Sequence, residues 1–510
     1  MGALLARVLI LAFILASPAS ATRAGLEIVP PERRMLWQPG IPGGIPEVPV
    51  AANARELGAR GAGQADDAPA IQRAIDAVTD SGAVVIPAGT YLLRSPLVIR
   101  RSVVLRGEGV GRTHLIVDHN MGPAILITGG AEAPYVSLTG GYRRGSTTLI
   151  VADTSPFRPG SLVEIQQDNA PMTMYTRPEW NQPWARGAVG QIVRVSAVSD
   201  DTLTIDEPLR LDYHLSFNPR VRPVRAVERA GVERLRITRR DRSETDMIVL
   251  RYSAFSWVRE IESEYAYRRH VMASGSYRCE IRDSYFHRAG DYGDGGRGYG
   301  VTLNDRTSHC LVENNIFNHL RHAMLIQLGA TGNVFGYNYS RENVQNQGEP
   351  LADLSLHGHY PNFNLYEGNV VQDVRNADYW GPSGPGNTFF RNRVETTLGT
   401  RERRGWGPTT PGIWINDHSH RQNVVGNEIV SGEISVEPTV RDTLVHGNRV
   451  RGAVSWDPAI PDRVLPASYY VTTKPPFYAA MDWPSTGADR PNGTNPAKQR
   501  YLSRNSVPQR

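Results

Sequence analysis

Residues 312–317 read VENNIF, 335–340 FGYNYS, 366–371 YEGNVV, 389–394 FFRNRV, 424–429 VVGNEI and 445–450 VHGNRV. Each is an apolar residue, two spacers, an asparagine, one spacer and a second apolar residue, with degenerate copies at VREIES (258–263) and IRDSYF (281–286). The marker positions are Ile261, Ser284, Asn315, Asn338, Asn369, Asn392, Asn427 and Asn448, separated by 23, 31, 23, 31, 23, 35 and 21 residues. A basic period near 22 with insertions in alternate copies predicts a coiled β-solenoid. One turn cannot bury its apolar face alone, and stacked turns share a continuous core. Asparagines repeated at a bend can bond to those above and below, which satisfies amides turned inward. A leucine-rich horseshoe has a similar period, but its Leu frame is absent.

Composition agrees. The 510 residues include 49 Gly and 36 Pro, with 21% charged residues, which favours many short strands and turns over helices. Net charge is +5 and the sequence pI is about 9.1, which suits an acidic partner such as a uronic-acid polymer. No Lys/Arg run or basic helix marks a nucleic-acid site. The start, MGALLARVLILAFILASPASA, has a charge at Arg7, a short apolar run and an A-x-A pattern at Ala19 and Ala21, so residues 1–21 read as a secretory signal and the protein as secreted or periplasmic. No stretch is apolar for the roughly 20 residues of a membrane span.

Residues 22–52 are a Pro/Gly-rich lead-in expected to have little structure of its own, and 53–137 hold a helix and the first strands. Asp67 is the expected cap of that helix, whose Ile71, Ala74, Ile75 and Val78 fall at helical spacing. The alternating strands and Gly/Pro/Asp turns of 138–225 read as an inserted small β-subdomain. Residues 226–457 carry the repeat, and 458–510 form a tail packing on or capping it.

The segment ADDAPAIQRAIDAV…GAVVIPAGTYLL, the asparagine ladder and the turn length resemble the right-handed parallel β-helix proteins of the pectin-lyase-like superfamily, particularly those with the pectate-lyase-superfamily amino-terminal segment. The resemblance implies an all-β fold of three strands per turn, with a short N-terminal capping helix, and puts the asparagine between the second and third strands. The first strands then lie 11 to 14 residues before each asparagine, in GVTLND, AMLIQL, LSLHGH, ADYWGP, GIWIND and GEISVE.

Alternation turns Leu303, Ile326, Leu356 and Ile415 inward. It leaves a polar stripe of Asn304, Gln327, His357 and Asn416, with Asp305, Arg306, His359, Tyr360, Asp417 and His418 at the strand exits. Tyr379 or Trp380 is expected to fill the turn between His357 and Asn416. Extra residues at 287–298, 341–352 and 395–411 fall just before first strands and would wall this stripe into a cleft. The last of them brings Arg403, Arg404 and Trp406, suited to carboxylate pairing and sugar stacking.

The fold hosts lyases, hydrolases, epimerases and adhesins. Polygalacturonase-type hydrolases would need paired aspartates and Gly-His-Gly, whereas here the order is His357-Gly358-His359 and the predicted cleft strands show no Asp pair. WINDHSH (414–420) resembles the Trp-Ile-Asp-His run of pectate lyases, with Asn416 extra, but the later Arg-x-Pro-x-x-Arg is missing. Neither calcium nor an arginine base follows. A divalent cation such as calcium stays a candidate, with the histidines beside Asp305 or Asp417 as donors.

The expected chemistry is β-elimination on a uronic-acid polysaccharide. His357 or His359 would be the base, Tyr360 the acid, and Arg306 or the loop arginines would hold the carboxylate. C5-epimerisation by the same groups, a hydrolase using Asp305 and Asp417, and a non-catalytic glycan-binding scaffold are the alternatives. Cys279 and Cys310, 31 residues apart, should be buried in one column on adjacent turns, either bonded or as a thiol stack.

Overall fold

The computed structural model describes residues 28–293, 295–344, 352–377, 380–396 and 411–506. The expected signal segment and the loop carrying Arg403, Arg404 and Trp406 lie outside them, as does Tyr379. Three long sheets of ten, twelve and thirteen strands run along the molecule, each ordered as the chain is. Each turn gives one strand to each sheet, as in Tyr299–Asn304, Leu311–Glu313 and Ile316–Asn318 before His322–Ile326 begins the next. The first sheet is β1 (Leu97–Ile99), β2 (Ile125–Thr128), β3 (Ile248–Arg251), β4 (Arg269–Ser274), β5 (Tyr299–Asn304), β6 (His322–Ile326), β7 (Leu354–Leu356), β8 (Val374–Asn376), β9 (Pro411–Ile415) and β10 (Glu433–Val436).

The asparagines stand at the bend between the second and third sheets. Asn338 N, Asn369 N and Asn392 N donate to the Oδ1 of Asn369, Asn392 and Asn427 at 3.0, 3.1 and 2.9 Å. Their Nδ2 groups bond the same oxygens and also the carbonyls of Val312, Phe335 and Tyr366 at 2.8–2.9 Å. A second ladder, unread in the sequence, turns the bend between the first and second sheets: Asn333 N donates to Asn364 Oδ1 at 3.0 Å and Asn364 N to Asn387 Oδ1 at 3.1 Å. The cysteines belong to that column. Both are free thiols and buried, with Cys279 N on Cys310 Sγ at 3.3 Å and Cys310 N on Asn333 Oδ1 at 2.8 Å. Between the ladders, Phe335, Tyr366 and Phe389 stack with centroids 5.3 and 5.0 Å apart.

The helix Ala68–Ala77 buries Ile71, Ala74 and Ile75 in the same core as the first turns. Asp67 does not cap it by its side chain. Its carboxylate accepts from Arg60 N at 2.6 Å and Gly61 N at 3.2 Å, while Asp66 Oδ1 takes Ala68 N at 3.1 Å.

Seven antiparallel strands from Gly130 to Arg225 make a separate sheet with its own core of Leu138, Phe157, Val163, Val193 and Leu203. This sheet docks on the bends that leave the first sheet. Glu164, fully buried, accepts from Arg306 Nε and Nη2 at 2.9 and 2.7 Å, and Ile192 N donates to Ser308 Oγ at 3.0 Å. Gly329 (φ 67°) is required here, because a Cβ would lie 1.6 Å from the Ala188 carbonyl oxygen.

The lead-in is bound along its length, which its composition did not suggest. Arg33 reaches Asn423 Oδ1 at 3.0 Å and Asp442 Oδ1 at 2.7 Å near the last turns, and Trp37 Nε1 donates to the Phe363 carbonyl at 2.8 Å. Gly40 N meets His309 O at 2.7 Å, Ile41 N meets Glu280 Oε1 at 2.8 Å, and Val50 pairs with Ala83 in the first turns. The segment therefore crosses nearly the whole twelve-stranded sheet from its last strands to its first. In the tail, helix Pro496–Ser506 places Ala497 and Tyr501 on Ile316, Tyr339 and Val370 of the third sheet.

Candidate active-site groove

Pairing of β5 to β9 puts Thr302, Leu325, Ser355, Arg375 and Trp414 in one outward column. Two residues on, the ladder continues through Gln327 N to Leu303 O, His357 N to Ile326 O and Ala377 N to Leu356 O, which aligns Asn304, Gln327, His357, Ala377 and Asn416. The structure thus brings the expected stripe residues together. It corrects the turn between His357 and Asn416. The first strand there is Val374–Asn376, not ADYWGP, so Arg375 faces the groove and Trp380 lies beyond, its ring 5.2 Å from that of Trp184.

Arg375 is 5% exposed, its guanidinium 5.1 Å from the centre of the Trp414 ring, and Trp414 Nε1 donates to Glu437 Oε1 at 3.1 Å. His357 is half-buried, and its Nδ1 donates to Gly358 O at 3.0 Å, a tautomer that leaves the ring lone pair on Nε2. Arg375 and His357 are diagonal neighbours on adjacent strands, with Cα atoms roughly 8 Å apart. At the head of β6, His322 donates Nδ1–H to Ala352 O at 2.8 Å. Burial, then the charges of Arg321, His357 and Arg375, hold His322 well below the usual imidazole range, so it is neutral at pH 7. Thr302 Oγ1 and Asn304 Oδ1 on the floor are buried and make no hydrogen bond among the described residues.

Several expected site residues belong to the docked sheet instead. His359 is fully buried, Nε2 donating to Trp180 O at 2.9 Å with its ring 5.6 Å from Trp184. Arg306 is consumed by Glu164 and by Gly187 O at 2.5 Å. Burial alone would raise the Glu164 carboxyl, but the Arg306 and Arg222 charges and the Tyr135 hydroxyl hold it below the usual carboxylate range. Tyr360 packs on the sheet's core, and burial pushes its hydroxyl up to about 12. The reason is common to all three. The sheet needs an apolar and ionic footing, and the strand exits supply it.

Asp305 accepts from Ser274 Oγ at 2.5 Å on β5's exit, and Asp417 N donates to Glu437 Oε2 at 3.3 Å on β9's exit, next to His418. Four strand spacings, about 19 Å, separate those turns, beyond the roughly 6.5–9.5 Å of an inverting carboxylate pair. Asp353 and Asp373 stand just before β7 and β8, where Asp353 N donates to the Asp373 carbonyl at 3.1 Å, so β7 and β8 themselves carry no aspartate. Asp353 ties down the chain: Oδ1 accepts from Asn343 Nδ2 at 2.6 Å and Oδ2 from Gln372 N at 2.8 Å. Among the described residues no group of three or more His, Cys, Asp and Glu could hold a metal ion.

A family model described as rhamnogalacturonase A/epimerase, pectate lyase-like, matches residues 51–154. The tailspike protein gp49 from Pseudomonas phage LKA1 superposes with a TM-score of 0.54 at 16% identity, covering 76% of this chain and 64% of the tailspike. The fold is a parallel β-helix, and its first turns are pectate-lyase-like. Mannuronan C5-epimerase AlgE1 of Azotobacter vinelandii is 37% identical to this β-helix over 112 residues, 20% of this chain and 8% of AlgE1. AlgE3 of the same organism is 37% identical over 108 residues, 19% and 6% of the two chains. The matched stretch is therefore under a tenth of either epimerase.

Sequence reasoning missed Arg375 and His322. Arg375 was readable: VRN follows the Asn369 marker by five residues, with Val374 in the frame of Leu354 and Ile413. His322 carried no signal, since it stands before the first inward residue of its strand.

Proposed function

We propose that the groove on the first sheet acts on a uronic-acid-containing polysaccharide by removing the proton at C5, most simply as a polysaccharide lyase. The observation that carries this is the diagonal pair of His357 and Arg375 on the groove floor. Arg375 neutralises the substrate carboxylate, which makes the neighbouring C5–H more acidic. His357 takes that proton as the general base. The electron pair forms C4=C5, the C4–O4 bond breaks, and the leaving oxygen is protonated from the imidazolium or water. Gln327 and Asn304 lie along the same column to bond sugar hydroxyls. Thr302 and Asn304 offer buried acceptors for that purpose.

Epimerisation is the second reading, favoured by what the two curated relatives are named for. It shares the first step and ends with reprotonation at C5 from the opposite face. Incubation with a panel of polyuronides in D2O distinguishes them. A lyase raises ultraviolet absorbance from the unsaturated product, and an epimerase puts deuterium at C5 without absorbance. New reducing ends without either signal would mean hydrolysis. Binding with no change in the polymer would mean a glycan-binding scaffold, and either result would end this proposal.

A further inference from the structure

A second cavity, of about 510 Å³, lies where the lead-in, the docked sheet and the solenoid meet. Its volume suits one or two sugar rings. It shares no lining residue with the groove columns. Four arginines, Arg34, Arg144, Arg210 and Arg278, line it against Asp206 and Glu207. Glu207 is already engaged, Oε1 accepting from Tyr277 OH at 3.1 Å and Arg278 Nη2 at 2.7 Å, and Oε2 from Arg210 Nη2 at 3.0 Å and from His309 Nε2. Arg210 Nη1 and His309 Nδ1 remain, both buried and without a hydrogen-bond partner among the described residues. Arg210 is 6% exposed and His309 2%.

Burial, with the charges of Arg210 and Arg278, keeps His309 neutral. Arg210 Nη2 lies as close to His309 Nε2 as Glu207 Oε2 does, so Nδ1 donates or accepts according to the tautomer. Arg210 Nη1 beside either form of Nδ1 fits a hydroxyl, which both donates and accepts. The surplus of guanidinium fits a carboxylate on the same ring. Leu36, 67% exposed, and Phe363, whose ring lies 4.6 Å from the Arg144 guanidinium, add an apolar edge.

We propose that this junction cavity is a second saccharide site, remote from the groove, that holds one or two residues of an acidic glycan without transforming them. The acidic class rests in part on the reading of the groove; the buried Arg210 Nη1 and His309 Nδ1 do not.

The test is calorimetric titration of the full chain with trisaccharides of mannuronate, galacturonate and glucuronate, and with maltotriose as the neutral probe. Arg144→Ala and Leu36→Trp alter exposed rim positions and leave the buried ion pairs intact; unchanged melting temperatures check this. At least one uronide should show two classes of site in the parent and in His357→Ala. Both rim variants should weaken one class at least tenfold and leave turnover of short substrates unchanged. A single class of site, or two classes unmoved by both rim variants, overturns the proposal. Maltotriose binding as tightly as the uronides overturns the acidic class. If no polyuronide is transformed but the rim variants still lose binding, the groove reading falls and the cavity stands.

Discussion

The bends and the groove floor treat buried polar atoms in opposite ways. At the bends, every ladder asparagine from 338 to 427 has its carbonyl oxygen and amide nitrogen bonded within the protein. On the floor a few residues away, Thr302 Oγ1 and Asn304 Oδ1 are equally buried and unbonded among the described residues. An unmade hydrogen bond costs about 1–3 kcal/mol. A fold able to satisfy whole columns of amides can bear that cost at one place, where a ligand supplies the partner.

The sharpest break is at the groove. His357→Ala should lower turnover about 10²- to 10⁴-fold, the usual range for a positioned general base, with little change in melting temperature. His359→Ala should do the reverse, lowering the melting temperature because it unseats Trp180 and Trp184. Loss of stability in His357→Ala alone would make it a structural residue.

Asn369→Ala removes the bonds to Asn338, Asn392 and the Phe335 carbonyl and should destabilise by about 2–4 kcal/mol, summing more than one orphaned partner. Denaturant titration should show the loss, while turnover per folded molecule stays near that of the parent. A drop in turnover without loss of stability would reverse the roles of bend and floor.

The ladder and the solenoid were legible because each turn repeats the same physical problem, so Asn315, Asn338 and Asn369 announce themselves by spacing. The column Asn304, Gln327, His357 and Asn416 was legible by counting back from them. The strand exits were not. Arg306, His359 and Tyr360 read as free polar groups because nothing in local sequence says that Glu164, Trp180 and the core of the docked sheet, far earlier in the chain, will cover them. The Arg375 strand was missed because a fixed offset from Asn392 was used in a turn of ordinary length whose first strand comes early: Val374 precedes Asn392 by 18 residues, whereas Met324 precedes Asn338 by 14.

The second sheet's outer face offers a pH-dependent contrast. Glu367 accepts from Tyr337 OH at 3.1 Å and Tyr469 N at 2.9 Å, and burial pushes its carboxyl up to about 7. The folded state then holds a proton that the unfolded chain releases near pH 4.5. This contribution is complete below that pH and is lost as pH rises through about 7. Melting temperature should fall between pH 5 and 8, and Glu367→Gln should flatten the decline. An equal decline in the variant would assign it to other groups.

The smallest effect is expected from Thr302→Val. It deletes a hydroxyl that has no partner among the described residues, so stability should hold or rise by up to about 1 kcal/mol, while KM for the polymer rises a few-fold. A fall in melting temperature would show that the hydroxyl is satisfied in the free protein, and the contrast between bend and floor would fail there.

The lead-in acts as a ruler. It is fastened to Asp442 and Asn423 at one end and to Ala83 at the other. Seventeen residues from Arg33 to Val50 extend at most about 60 Å. Solenoids ordinarily gain and lose turns by duplication, because each turn touches only its neighbours. Here one extra turn would displace one anchor by about 4.8 Å, pulling Trp37 and Ile41 out of register with their partners. The strap therefore ties the first turns of the solenoid to the last.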